Sequence, residues 1–215
     1  VTELFAQEIP CTYIADGHHR AASAAKVRAS LGKAATPACD YFLTTLFPSN
    51  QLHIMDYNRV AKDLNGLSEE AFLAALTQKF KVEALDKGPF RPSQLHEMGM
   101  YLAGQWYRLE ALAGTYKEDP IGVLDVTILQ ENILTPLLDI DDPRTNNRID
   151  FVGGIRGLGA LEDRVNKGLA AVAFSLYPVT IDQLFNISDA GQVMPPKSTW
   201  FEPKLRDGLL THLIG

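Results

Sequence analysis

A chain of 215 residues, 46% hydrophobic and 21% charged, has enough apolar material for one large globular domain or two small ones. Its formal net charge of −6 speaks against a protein built to grip DNA or RNA, because that affinity comes mainly from cationic contacts to phosphate. No apolar run reaches the roughly 20 residues that span a bilayer, no secretory signal is visible, and Cys11 and Cys39 form no Cys-x-x-Cys pair, so buried free thiols and a cytoplasmic setting are expected.

Residues 2–7 read as a helix end or connector. Residues 11–15 are short and apolar, as a buried strand would be. Asp16-Gly17 breaks that run, and an Ala-rich helix is predicted from His19 to Leu31, with Gly32 as a left-handed cap. The small residues 21–25 suit close packing on a sheet. Asp16, Gly17, His18, His19 and Arg20 therefore fall where a strand hands over to a helix. Backbone N–H groups there lack partners, and the helix dipole makes that end positive. Gly17 lets a ligand approach the backbone, Arg20 offers a fork suited to phosphate or carboxylate, and both histidines can donate to an oxyanion. The natural ligand of such a corner is an anion, most simply a phosphate. Taken singly, Asp16 could merely cap the helix, Arg20 could form a surface ion pair, and the histidines could be solvated. Their clustering around one glycine favours the ligand.

Residues 41–46 and 52–55 are predicted as paired strands, with Arg59 beyond them either holding an anion or making a surface ion pair. Asn65-Gly66 marks a boundary. Ser68 opens a helix through Phe72, Leu76 and Phe80, and residues 81–85 read as an edge strand. Residues 98–102 and 105–109 read as a hairpin, whose Tyr101, Trp106 and Tyr107 are packing residues rather than a base-stacking platform. His96-Glu97 has no second histidine at metal-binding spacing, and the acids of 139–144 lack the calcium-loop pattern, so no metal site is expected. Asp125 is predicted to cap a helix that either ends near Leu134, ahead of Pro136, or kinks there and runs to about Leu138. Residues 148–152 and 169–177 read as strands. Gly153-Gly154 opens a turn that lacks the fingerprint of either dinucleotide or P-loop sites. Helices are predicted over 161–167 and from Pro178 to about Phe185. Lys197, Ser198 and Thr199 put an ammonium beside two hydroxyls, fit to hold a phosphate or carboxylate or to form a polar loop before a closing strand over 209–214.

These elements make an α+β fold with mixed sheets and interspersed helices, divided as 1–66 and 67–215. Asp16-Gly17-His18-His19-Arg20 resembles the Asp-Gly-His-His-Arg signature of the free-serine kinase branch of the ParB/sulfiredoxin superfamily. With Asp56-Tyr57-Asn58-Arg59-Val60, Phe151-Val152-Gly153-Gly154 and Met194-Pro195-Pro196-Lys197-Ser198-Thr199-Trp200-Phe201, the chain resembles the prokaryotic domain-of-unknown-function family 1015. The second resemblance implies a C-terminal half, with an N-terminal half that could supply a catalytic base absent ahead of Val1. The first implies that residues 1–66 are the tail of a ParB/sulfiredoxin-like unit in which Gly17, His18, His19 and Arg20 hold phosphate. Asp16 would then bind a metal or orient a histidine, and Arg59, Lys197, Ser198 and Thr199 would contact a second substrate. The ligands so implied are a nucleotide such as ADP or ATP with Mg²⁺ and a small metabolite. The function is phosphotransfer or, alternatively, non-catalytic sensing of a nucleotide or metabolite.

Overall fold

A computed structural model describes residues 1–86, 88–204, 206 and 208–213. It divides into two compact units. One comprises Val1–His53 with Phe201–Gly215, and the other Ile54–Trp200. The expected boundary near Gly66 lies inside the second unit. No helix among the described residues is long and apolar enough to cross a membrane.

The second unit is built on a six-stranded sheet, antiparallel in every pairing, in the order β3-β5-β4-β7-β2-β6. The strands are β2 (Tyr57–Ala61), β3 (Phe80–Ala84), β4 (Glu97–Leu102), β5 (Gln105–Ala111), β6 (Ile149–Gly153) and β7 (Val172–Leu176). Side chains alternate across a strand, so each strand serves both faces. Met98, Met100 and Leu102 of β4, with Val172, Phe174 and Leu176 of β7, face the larger core. Tyr101 and Ala173, between them in sequence, face the smaller one. The larger core is closed by Phe72 and Leu76 of α3 (Glu69–Leu76), by Ile128 and Leu129 of α4 (Asp125–Leu129) and by Ile187 of α6 (Ile181–Asp189). The smaller core is closed by Leu161 of α5 (Gly159–Asn166).

Helix ends follow their sequence signals. Ser68 accepts from the Ala71 N–H, and Thr180 and Gln183 form a reciprocal capping box. The helix opened by α4 continues as a π-helical turn over Gln130–Leu134 and stops before Pro136. Asp125 does not cap it. The N-cap is Leu124, and the Asp125 side chain turns instead to the His96 backbone.

The first unit holds α1 (Thr2–Glu8) and α2 (His18–Leu31). Residues 11–15 and 41–46 form no strand, contrary to expectation, and are largely exposed. β-branched and aromatic residues favour a strand only where a neighbour pairs with it, and no such partner occurs among the described residues. Two short strands, β1 (His53–Met55) and β8 (Trp200–Glu202), pair with each other where the chain passes between the units. The closing strand expected over 209–214 is absent over the described residues 209–213, and Ile214 lies outside them. Cys39 is buried but Cys11 is exposed, so only one thiol is sheltered as expected.

Candidate functional site

The sequence-predicted site residues fall into two groups. Asp16 to Arg20 belong to the first unit, and Arg59, Lys197, Ser198 and Thr199 to the second.

In the first group Gly17 is the N-cap of α2, at φ 90° and ψ 22°, a left-handed conformation that glycine adopts without cost. Its N–H donates to Asp16 Oδ1 at 2.7 Å, and its carbonyl accepts from the Ala21 N–H at 3.0 Å, the first bond of the helix. The other Asp16 oxygen pairs with Lys204 Nζ at 3.5 Å. Arg20 folds back over the glycine, so a β-carbon at residue 17 would lie 3.1 Å from Arg20 Nε and Nη2. Among the described residues the Arg20 guanidinium forms no ion pair. His18, His19 and Arg20 are exposed, and no acidic residue stands in the first turn to offset the helix dipole. The small residues of α2 do not pack as expected, since none of its residues is buried. Alanine stabilises a helix by intrinsic propensity, which requires no sheet beneath it.

In the second group Arg59 is not a surface residue, and among the described residues it forms no ion pair. It lies on β2, an inner strand of the sheet, and is 4% exposed. Its Nη1 donates to the Tyr57 carbonyl, its Nη2 donates to the Lys197 carbonyl at 2.9 Å, and its guanidinium lies 5.6 Å from the Phe151 ring centre. Burial lowers its pKa to about 10, and among the described residues no carboxylate offsets that desolvation. The β2–β7 ladder ends at Arg59↔Phe174. Beyond it the Asn58 side chain takes over, its Oδ1 accepting the Leu176 N–H at 3.0 Å.

Lys197 has φ 58°, and its Nζ lies 5.8 Å from the Tyr57 ring centre. Ser198 is buried and donates to the Pro195 carbonyl at 2.7 Å, which commits its hydroxyl to the turn. Thr199 is half-buried.

Two residues of this neighbourhood were not among the predicted site residues. Asp56 is 3% exposed, accepts from Asn58 Nδ2 at 2.6 Å and pairs with Arg91 Nη1 at 2.8 Å. Its backbone carbonyl accepts the Gly154 N–H at 2.7 Å. Asp56 and Gly154 sit in two of the quoted family stretches, but nothing in the sequence marked Arg91 as their companion.

Among the described residues no group of three His, Cys, Asp or Glu side chains can hold a metal ion. Mg²⁺ commonly uses one or two carboxylates and fills its remaining positions with phosphate oxygens and water, so Asp16 alone is compatible with such an ion.

No curated protein matches the chain significantly. Among solved structures, the chain is similar to a free serine kinase in complex with AMP, at 14% identity and a TM-score of 0.49, over 87% of this chain and 66% of that one. A variant of a free serine kinase in complex with ADP gives 15% identity and a TM-score of 0.48 over the same shares. A conserved hypothetical protein from Pyrococcus furiosus gives 16% identity and a TM-score of 0.48, over 90% of this chain and 72% of that one. The chain thus spans slightly less than two thirds of the length of the kinases. The model of one family, described as a protein of unknown function (DUF1015), matches residues 1–127, more than half of the sequence, and the chain belongs to that family.

Proposed function

We propose that the chain binds a nucleotide or another phosphate-bearing ligand at the Asp16–Arg20 corner, in the service of phosphoryl transfer to a small metabolite. One observation carries this reading. The Arg20 guanidinium lies over Gly17 at the N-terminus of a 14-residue helix, exposed and without a carboxylate partner among the described residues. A permanent cation, unpaired N–H groups and the positive end of a dipole then address the same space. The resemblance of residues 16–20 to the phosphate-holding signature of the ParB/sulfiredoxin superfamily and its free-serine kinase branch supports the same reading.

In this reading Gly17, His18, His19 and Arg20 hold phosphate oxygens. Phosphoryl transfer depends chiefly on positioning and on neutralising charge, which such a corner supplies. Asp16 holds the Gly17 N–H and keeps one oxygen toward a cation. Lys197 and Thr199 serve as contacts for an anionic group of the second substrate, with Arg59 fixing the backbone of their loop and Ser198 its turn.

The test is the thermal midpoint with ADP, ATP, CTP and inorganic phosphate, in wild type and Arg20→Ala. A rise in wild type that Arg20→Ala loses by about tenfold in apparent affinity is the expected outcome. No rise with any of the four overturns the reading. Binding without consumption of the phosphate donor, across candidate hydroxylated metabolites, would leave a sensing module in place of an enzyme.

A further inference from the structure

We propose that a second, independent site, the cavity beside His96 in the second unit, binds a small hydroxylated primary amine. The cavity is open to solvent and has a volume of about 720 Å³. Its chemistry is one-sided. Among the described residues of its lining, Glu110 is the only acidic or basic one besides His96. Tyr116, Tyr177 and Thr180 add two aromatic rings and three hydroxyl-bearing side chains. No lysine or arginine among the described residues belongs to the lining, so a phosphate or carboxylate finds no counter-charge from them. The ligand class is thus opposite in sign to that proposed for the Asp16–Arg20 corner.

The groups behind the wall strengthen the bias. Glu97 is buried, accepts from the Ser93 N–H and Oγ and from Gln94 Nε2, and pairs with Arg108. The same guanidinium reaches Glu110 only at 3.9 Å, so one cation stands against two carboxylates. Asp125 adds a third. It is 3% exposed, with Oδ1 accepting the His96 N–H at 2.8 Å and Oδ2 buried without a partner among the described residues. Burial, with a contribution from the Glu97 charge, pushes its pKa up to about 7. At neutral pH the pocket wall is therefore short of positive charge, and more so as Asp125 ionises.

His96 connects Asp125 to the cavity. It is held at φ 68°, its Nδ1 lies 3.0 Å from the Tyr116 hydroxyl, and its Nε2 is buried without a partner among the described residues. An ammonium group suits the Glu110 carboxylate and the aromatic faces of the lining. A hydroxyl on the same molecule can exchange hydrogen bonds with the tyrosines and Thr180. A bare metal ion fits less well, since no group of three ligating side chains exists among the described residues.

The test is a ligand-observed NMR titration of the whole chain with ethanolamine, against ethylene glycol and acetate as probes lacking the amine. Ethanolamine alone is expected to bind. Glu110→Gln should weaken it by about tenfold or more, and Tyr177→Leu, which removes one aromatic face, should weaken it independently. Affinity should rise between about pH 6 and pH 8 in wild type, and that slope should be smaller in Asp125→Asn. No binding of ethanolamine at tens of millimolar, equal binding of ethylene glycol, or binding undiminished in both Glu110→Gln and Tyr177→Leu overturns the proposal. None of these outcomes bears on the phosphate corner, which Arg20→Ala tests separately.

Discussion

The Asp56 carboxylate occupies the space that a β-carbon on residue 154 would need. Residue 154 directly follows β6, its N–H is bonded to the Asp56 carbonyl, and the carboxylate itself is fixed by Arg91 and Asn58. Neither side of this contact has room to yield. Gly154→Ala should therefore destabilise the protein by about 1–3 kcal/mol, as overpacking does, measured by urea unfolding. Gly159→Ala is the control. Nothing lies within 4 Å of a β-carbon there, and the position begins α5, so stability should hold or rise slightly.

Gly17→Ala should act on binding and stability together. A non-glycine residue held in the left-handed region costs about 1–2 kcal/mol, and the new methyl group would press on the Arg20 guanidinium. The expected outcome is a lower thermal midpoint and a loss of phosphate protection comparable to that of Arg20→Ala. Arg20→Ala itself should leave the ligand-free midpoint in place, because the side chain is exposed and supports no contact that the fold needs.

Arg59→Lys should not behave as a conservative change. The guanidinium serves the carbonyls of Tyr57 and Lys197 at once, and an ammonium on a flexible stem cannot keep that fork. Loss of a hydrogen bond from a charged donor in a buried setting is worth about 1.5–3 kcal/mol. Urea unfolding should show this loss, and limited proteolysis should cut near Lys197 sooner than in wild type.

Asp125 makes stability depend on pH in a fixed direction. Its folded pKa, about 7, lies above the ordinary value of 3.8, so the folded state holds more protons than the unfolded chain between those values. This group's contribution is then fully present below about pH 4 and is lost as pH rises through 7, by up to about 4 kcal/mol. Glu97 works in the opposite direction. Burial alone would raise its pKa, but hydrogen bonds from Ser93 and Arg108 outweigh that and lower it, so its contribution is lost as pH falls into the acid range. The difference between wild type and Asp125→Asn isolates the first effect. Unfolding free energies of wild type relative to the variant should decline steadily from about pH 4 to pH 8.

The second unit was largely legible from period-two and helical patterns. The hairpin around Ala103-Gly104, the edge strand β3, the capped helix after Ser68 and the buried strand β7 all stand where alternation and turn residues put them. Those signals are local, and the local chain satisfies them. Residues 11–15 and 41–46 carry equally good strand composition but form none, because pairing depends on a partner that composition does not reveal. The Arg59–Lys197 and Asp56–Arg91 contacts were hidden for a related reason. Each joins residues far apart in the chain through a sheet order that no single stretch encodes. His96 and Asp125 looked unremarkable one at a time, and became a pair only when β4 and α4 packed together.

The strand order has a consequence for how this protein comes to be made. β2 precedes β3, β4 and β5 in the chain, yet its two neighbours, β6 and β7, follow all three. Until those neighbours emerge β2 has both edges open, and closing the sheet around it must wait for contacts of long sequence separation, which form slowly. A chain ended at residue 127 would contain the three strands β3-β5-β4 complete, but would hold β2 with no strand on either side.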